Sequence, residues 1–353
     1  MVVELDKPQI IVHTSKVLDY TPYDTRWIPS TARLVTVGQT PGASGKIQVH
    51  SLDNGGLTVD ATVDRPSAIK CCKTPADGLR RLAYGDFAGR VACLDLARAV
   101  DVWSAPAAHA DIVNCIDVAV GPVEIATGSR DGAVKVWDPR VRDKPVASIV
   151  PRDDDVAGSR DTWAVAFGNS YGNGERCVAA GYENGDVKLF DLKAMKLVWE
   201  TNVKNGVCAM EFDRMDIKMN KLCVGGLEGG FTTFDMRTRH PENGYASVSH
   251  TVKDKATVWI TKHLPQNRDV FMTTGANGAV NLFKYSYPPQ RTKKGKDDVL
   301  EGVAGTLGLL QTASVSEQPV NAFDWSPDKM GLCAFTSYDQ TVRVGIVTKL
   351  NKI

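Results

Sequence analysis

One phrase, ATGSRDGAVKVWDPR at 126–140, constrains this chain more than any other. An apolar run leads into Asp131-Gly132, and alternating apolar residues then carry the chain to Trp137-Asp138. Asp-Gly between two such stretches closes a tight hairpin, because the turn needs positive φ and glycine accepts it cheaply. The phrase returns as LAYGDFAGRVACLDL (82–96), AAGYENGDVKLFDLK (179–193), VGGLEGGFTTFDMR (224–237), TTGANGAVNLFKY (273–285) and FTSYDQTVRVGIV (335–347). A worn first copy, LVTVGQTPGASGKIQVHSLD, occupies 34–53, which makes seven.

A short apolar strand precedes each hairpin: DTRWIP, AIKCCK, VNCIDVAV, TWAVAFG, VCAMEFD, VWITKHL and VNAFDWSP. Another follows, as in GLTVDATV, PVASIV and KLVWETN. Four short strands per unit of roughly 40–45 residues is the signature of WD-repeat propellers. One such unit cannot bury both of its faces, so the units must stack into a ring. The expected fold is all-β: one domain over 1–353, a seven-bladed WD-repeat β-propeller. Its blades lie near 20–64, 68–104, 112–151, 161–202, 206–250, 256–316 and 319–348. The last hairpin has no outer strand after it, whereas PQIIVHT at 8–14 has no hairpin of its own. That N-terminal strand is expected to close the last blade and remove an open sheet edge.

Charge is nearly balanced, with 42 Lys+Arg against 41 Asp+Glu. Nucleic-acid or membrane-surface binding needs clustered cations, so neither partner is expected. No run of 18 apolar residues is present, and the start, MVVELDKPQ, lacks the features of a signal peptide. The eight cysteines include no Cys-x-x-Cys pair and sit mostly in apolar runs. They read as free thiols in a reducing cytoplasmic setting. A monomer with protein partners is the expectation.

Catalytic patterns fail on inspection. Gly168-Asn169-Ser170-Tyr171-Gly172 matches G-x-S-x-G, but that nucleophile elbow needs a following helix, and here it falls between two strands. GQTPGASGKI has the wrong spacing for a phosphate loop. The six histidines are scattered, so no metal, cofactor or catalytic residue is expected, and no enzyme. His109, a strand hydroxyl (Thr127 or Ser129, with Ser129 preferred), Asp131 and Trp137 form the one complete set of repeat residues. A buried structural tetrad is the expectation there, since such repeats use the histidine to pin a loop to a turn.

In a propeller the first strand of each blade lines the channel, and the loops entering it share a face with the hairpin turns. Aligning the seven first strands places Tyr23, Lys70, Asn114, Trp163, Cys208, Trp259 and Asn321 at the channel mouth. A second set precedes each hairpin turn: Phe87, Arg130, Glu183, Glu228, Ala276 and Tyr338. Aromatics and arginine dominate interface hot spots, so Trp163 and Trp259 lead the candidates for partner binding. Tyr23, Lys70, Asn114, Asn321, Phe87, Arg130 and Tyr338 complete that set. The acidic loop at 151–161 belongs to the same face. The polar insertion at 288–301 belongs to the opposite face and is expected to be mobile.

Wording beyond the repeat is also informative: KPQII, TGSRDGAVKVWDPR, TWAVAFGN, WETNVKNGVC, EFDRMDIKMNKL, FDMRTRHP, HLPQNRDVF, DWSPDKMGLC and YDQTVRVGIVTKLNKI. These strings resemble the Monad family of WD-repeat factors, linked to axonemal dynein preassembly, from about residue 7 to the C-terminus. The resemblance implies a cytoplasmic adaptor for a cochaperone assembly of RuvB-like ATPases and prefoldin-like subunits, with axonemal dynein heavy chains as clients. It departs most in the first blade and at 288–301, and it carries over no partner-contacting residues. Three rivals remain: a substrate-recognition subunit of a ubiquitin ligase, a structural ciliary component, and an enzyme working at the channel mouth.

Overall fold

The computed structural model describes residues 7–75, 78–121, 123–141, 143–150, 160–172, 174–295 and 298–353. At the clearest hairpin, Gly132 takes φ 78°, and Asp131 accepts the Ala133 N–H at 2.9 Å to close the turn. Gly89 occupies the same place one blade earlier, at φ 79°. A Cβ on Gly89 would lie 2.3 Å from the His109 carbonyl oxygen, so the site needs glycine for space as well as for conformation.

These hairpins build seven four-stranded antiparallel sheets. After an N-terminal strand, Ile10–Val17 (β1), blade one is Thr21–Ile28 (β2), Arg33–Gln39 (β3), Gly45–Asp53 (β4) and Gly56–Arg65 (β5). Blade two is Ile69–Lys73 (β6), Arg81–Asp86 (β7), Val91–Asp95 (β8) and Val100–Ala105 (β9). Blade three follows with Val113–Val118 (β10), Ile125–Ser129 (β11), Val134–Trp137 (β12) and Ala147–Ile149 (β13). Thr162–Gly168 (β14), Cys177–Tyr182 (β15), Asp186–Asp191 (β16) and Lys196–Asn202 (β17) make blade four. In blade five the strands are Val207–Phe212 (β18), Lys221–Gly226 (β19), Gly230–His240 (β20) and Gly244–Thr251 (β21). Blade six has Val258–Leu264 (β22), Asn267–Gly275 (β23) and Ala279–Ser286 (β24), then a small hairpin of Thr292–Lys294 (β25) and Leu300–Gly302 (β26), and last Thr306–Ser314 (β27). Blade seven is Val320–Trp325 (β28), Leu332–Ser337 (β29) and Thr341–Val347 (β30), completed by β1.

The core is a closed series of apolar seams between neighbouring blades. Strand alternation feeds both seams of a blade at once. In β7, Leu82 and Tyr84 pack toward blade one, while Ala83 packs toward blade three. The series closes where Tyr20, Trp27 and Leu34 meet Ala334, Val342 and Val344 of blade seven. Truncating a buried Leu such as Leu82 to Ala costs about 2–5 kcal/mol, because the surrounding sheets cannot collapse into the gap.

Ring closure follows the expectation from the sequence. β1 runs antiparallel to β30, with Ile10 opposite Val347 and Val17 opposite Thr341. Leu18 N–H donates to the Gln340 carbonyl at 2.7 Å, and Thr348 N–H to that of Gln9 at 2.9 Å. The first and last segments of the chain therefore share one sheet.

The insertion read from the sequence as a mobile loop carries a paired hairpin, Thr292 opposite Gly302 and Lys294 opposite Leu300. Ion pairing supplies the reason. Arg291 donates through Nε to the fully buried Asp235 at 2.7 Å, and through Nη2 to Asn220 at 3.1 Å. Its guanidinium lies 4.9 Å from the Tyr287 ring centroid. Tyr287 in turn contacts Lys221, a fully buried lysine paired with Asp213 at 3.1 Å. The hairpin is thus seated against the seam of blades five and six; residues 296–297 lie outside the described residues.

The G-x-S-x-G stretch is a turn. Gly168 ends β14, Asn169 takes φ 54°, and Ser170 Oγ accepts the Val120 N–H. The chain then enters β15, a strand. No disulfide joins the eight cysteines. Among the described residues, no helix is long and apolar enough to cross a membrane.

Candidate interaction face

The seven mouth residues share one backbone feature that the sequence did not announce. Each innermost strand skips one residue in its pairing with the second strand. The skipped residues are Tyr23, Lys70, Asn114, Trp163, Cys208, Trp259 and Asn321. A bulge leaves its extra residue unpaired and re-aims the side chain. Here all seven line a single cavity of about 660 Å³ that runs down the channel.

Their environments differ. Asn114 Nδ2 donates to the Thr162 carbonyl at 3.2 Å, and Asn321 Nδ2 to that of Pro22 at 2.6 Å, so both amides tie neighbouring blades. Trp163 is half-buried and lies over blade five: a Cβ on Gly206 would fall 2.9 Å from its ring. Trp259 is also half-buried, and its indole N–H is enclosed without a hydrogen-bond acceptor among the described residues. Tyr23 stacks near Phe87 (5.4 Å between centroids), meets Tyr338 edge-on at 6.5 Å, and carries the Lys70 ammonium at 5.0 Å. Burial pushes the Cys208 thiol up to about 12, which keeps it protonated at neutral pH.

The second set stands on the same face, and its backbone shows why. The N–H groups of Phe87, Arg130, Glu183, Ala276 and Tyr338 donate to carbonyls of Ala68, Ile112, Asp161, Thr257 and Pro319, each at the entry of a first strand. In blade five that bond comes from Leu227, to Gly206. Leu227 therefore replaces Glu228 in the set, and counting two residues back from the turn glycine, Gly229, would have found it. Leu227 and Tyr338 line the cavity. Arg130 is exposed beside Asp161 at 3.8 Å and Asp111 at 4.0 Å. Residues 151–159 of the acidic loop lie outside the described residues.

Three residues beyond each mouth residue the structure forms a second ring, which the sequence reading missed: Arg26, Lys73, Asp117, Ala166, Glu211, Lys262 and Asp324. The first six line the cavity. Lys73 pairs with Asp117 at 3.2 Å, Lys262 with Glu211, and Arg26 with Asp24 at 2.9 Å. The acids also stitch blades together. Asp117 accepts the Phe167 N–H at 2.9 Å, Glu211 that of His263 at 2.6 Å, and Asp324 that of Trp27 at 2.9 Å. Burial pushes the Glu211 carboxyl up, but Lys262, His263 and Lys73 outweigh it and hold the group well below the usual range. Burial prevails at Asp324, whose carboxyl is raised. These charges satisfy one another, which is how buried ions are tolerated.

Blade three holds the tetrad, with one correction: its hydroxyl is Thr127. The Asp131 carboxylate can only accept, so His109 Nδ1 carries the proton and donates to it at 3.1 Å. His109 Nε2 then accepts the Thr127 hydroxyl at 2.8 Å, and Thr127 Oγ1 accepts the Trp137 indole N–H at 2.9 Å. Ser129 sits at the strand end beside the turn, where its Oγ donates to the Asp111 carbonyl and accepts the Asp131 N–H. Thr127 lies one pleat deeper, within reach of the indole. Burial pushes the Asp131 carboxyl up, yet the His109, Ala110 and Ala133 N–H donors bring it well below the ordinary value. The set holds the loop before β10 in place.

The fold and these two rings define a WD-repeat propeller with a built channel mouth. Residues 103–138 match the family described as WD domain, G-beta repeat. The chain is 52% identical over 358 residues to Dynein axonemal assembly factor 10 of Xenopus tropicalis, covering 99% of each chain. The same-named proteins of Homo sapiens and Chlamydomonas reinhardtii are 50% and 49% identical over 357 and 356 residues, again across 99% of each. The chain belongs to the dynein axonemal assembly factor 10 family.

Proposed function

We propose that this propeller is a non-catalytic interaction scaffold, acting as a chaperone-linked adaptor in the cytoplasmic preassembly and stability of axonemal dynein heavy chains. The observation that carries the reading is end-to-end similarity, near half identity, to proteins named as dynein assembly factors. The channel supports a binding role over chemistry: its carboxylates are engaged by cations and backbone N–H groups, and the Cys208 thiol stays protonated. In this reading the monomer docks its partners at the mouth face, where Trp163 and Trp259 supply apolar contact. The partners are a cochaperone assembly with RuvB-like ATPases and prefoldin-like subunits, and the clients are dynein heavy chains.

Affinity purification from the cytoplasm of ciliated cells tests this, with a folded Trp163→Ala, Trp259→Ala variant beside the wild type. Dynein heavy chains and cochaperone subunits recovered by the wild type and lost by the variant support both role and face. Recovery by both proteins keeps the role and moves the site. Recovery by neither removes the adaptor reading.

A further inference from the structure

Among the described residues, five cations line the channel cavity: Arg26, Lys70, Lys73, Arg214 and Lys262. Four have a carboxylate partner: Asp24, Asp117, Asp216 and Glu211 take Arg26, Lys73, Arg214 and Lys262 respectively. Lys70 has none among the described residues. Asp24, the carboxylate whose charge bears on the Lys70 amine, is already engaged by the Arg26 guanidinium, the Thr25 N–H and the Cys72 N–H. What Lys70 does have is the Tyr23 ring, with Phe87 and Tyr338 against that ring's other sides. Burial lowers the affinity of this amine for its proton, the mark of a cation short of solvation. It is also the only charge among the seven bulge residues at the mouth. Trp259, which lines the same cavity, keeps its indole N–H enclosed and without an acceptor among the described residues.

We propose that the channel mouth takes the side-chain carboxylate of an acidic residue on a short, apolar-flanked segment of a partner polypeptide, with Lys70 as its counter-ion. The rings of Tyr23, Phe87 and Tyr338 pack the stem of that residue. A cation held against aromatic faces and away from water binds a carboxylate more strongly than an exposed lysine does. This deepens the docking face proposed above and rests on it.

The test is selection from a display library of random 12-residue peptides on the immobilised full-length protein, followed by fluorescence-polarisation titration of the selected peptides. Enrichment of Asp or Glu beside an apolar residue is expected. Lys70→Met should weaken those peptides at least roughly ten-fold, since one hydrogen bond to a charged group is lost. Lys70→Glu should turn the selection toward Lys and Arg. Changing the acidic residue of a selected peptide to its amide gives the same loss on wild-type protein, independently of how any variant folds. Selected peptides without a carboxylate, or equal binding to wild type and Lys70→Met, overturn the proposal. If the Trp163→Ala, Trp259→Ala variant loses those peptides while Lys70→Met keeps them, the face stands and the carboxylate falls. If both variants bind as wild type does, the docking face itself is wrong.

Discussion

Glu211 of blade five accepts the backbone N–H of His263 in blade six at 2.6 Å, and its other oxygen holds Lys262. One side chain thereby closes a seam and neutralises a channel cation. Glu211→Ala leaves both donors unmet and should cost about 2–4 kcal/mol. Glu211→Gln keeps an acceptor and should cost less. The carboxyl sits below its ordinary value, so its contribution is complete above pH ~4.3 and fades as the pH falls toward the lowered folded value. Urea midpoints of the three proteins check this, and an unshifted midpoint for the alanine variant would show that the seam does not depend on it.

His50 sets a different pH window. Burial pushes its imidazole down to about 4, while Nε2 meets Thr36 Oγ1 at 2.8 Å. The unfolded chain binds a proton near pH 6.5 that the folded protein refuses, so the contribution of His50 to stability is flat above that pH and declines between about 6.5 and 4. The decline attributable to this one group amounts to ~3 kcal/mol. Denaturant midpoints of wild type and His50→Gln at pH 7.5 to 4.5 should diverge in slope, and parallel curves would assign the decline elsewhere.

The tetrad predicts an unequal pair. Thr127→Val removes an atom that serves both His109 and Trp137, and should cost about 1–3 kcal/mol. Ser129→Ala, at the turn, should cost about 1 kcal/mol or less. Thermal melts of the two variants rank them, and a reversed order would return the relay to Ser129.

Removing residues 1–17 strips β1 from β30 and exposes a long unpaired edge. The expected result is a lower Tm for the whole ring together with self-association. Differential scanning calorimetry and light scattering measure both, and a truncated protein that stays monomeric with wild-type Tm would mean the ring closes without the strand.

The propeller was legible because each hairpin carries its turn residues at fixed offsets, and the seven first strands align on apolar positions alone. That alignment also found the mouth residues, from Tyr23 to Asn321. What it missed needed the third dimension. Lys73 or Glu211, met singly inside an apolar strand, reads as a solvated exception, and only side-by-side stacking shows that the charges answer one another. Thr127 and Ser129 lie on one face of one strand, so no pattern decides which reaches the indole. Arg291 resembled one more cation of a basic run, because its partner Asp235 is 56 residues away.

Charges that neutralise one another go two by two, and seven is odd. Around the inner ring the signs match across blades two and three, five and six, and seven and one, which leaves blade four with Ala166. At that level the channel accordingly has an uncharged side beneath Trp163. A molecule built from seven near-copies thus carries an origin of angle, and any chain threaded into it meets a marked wall as well as six busy ones.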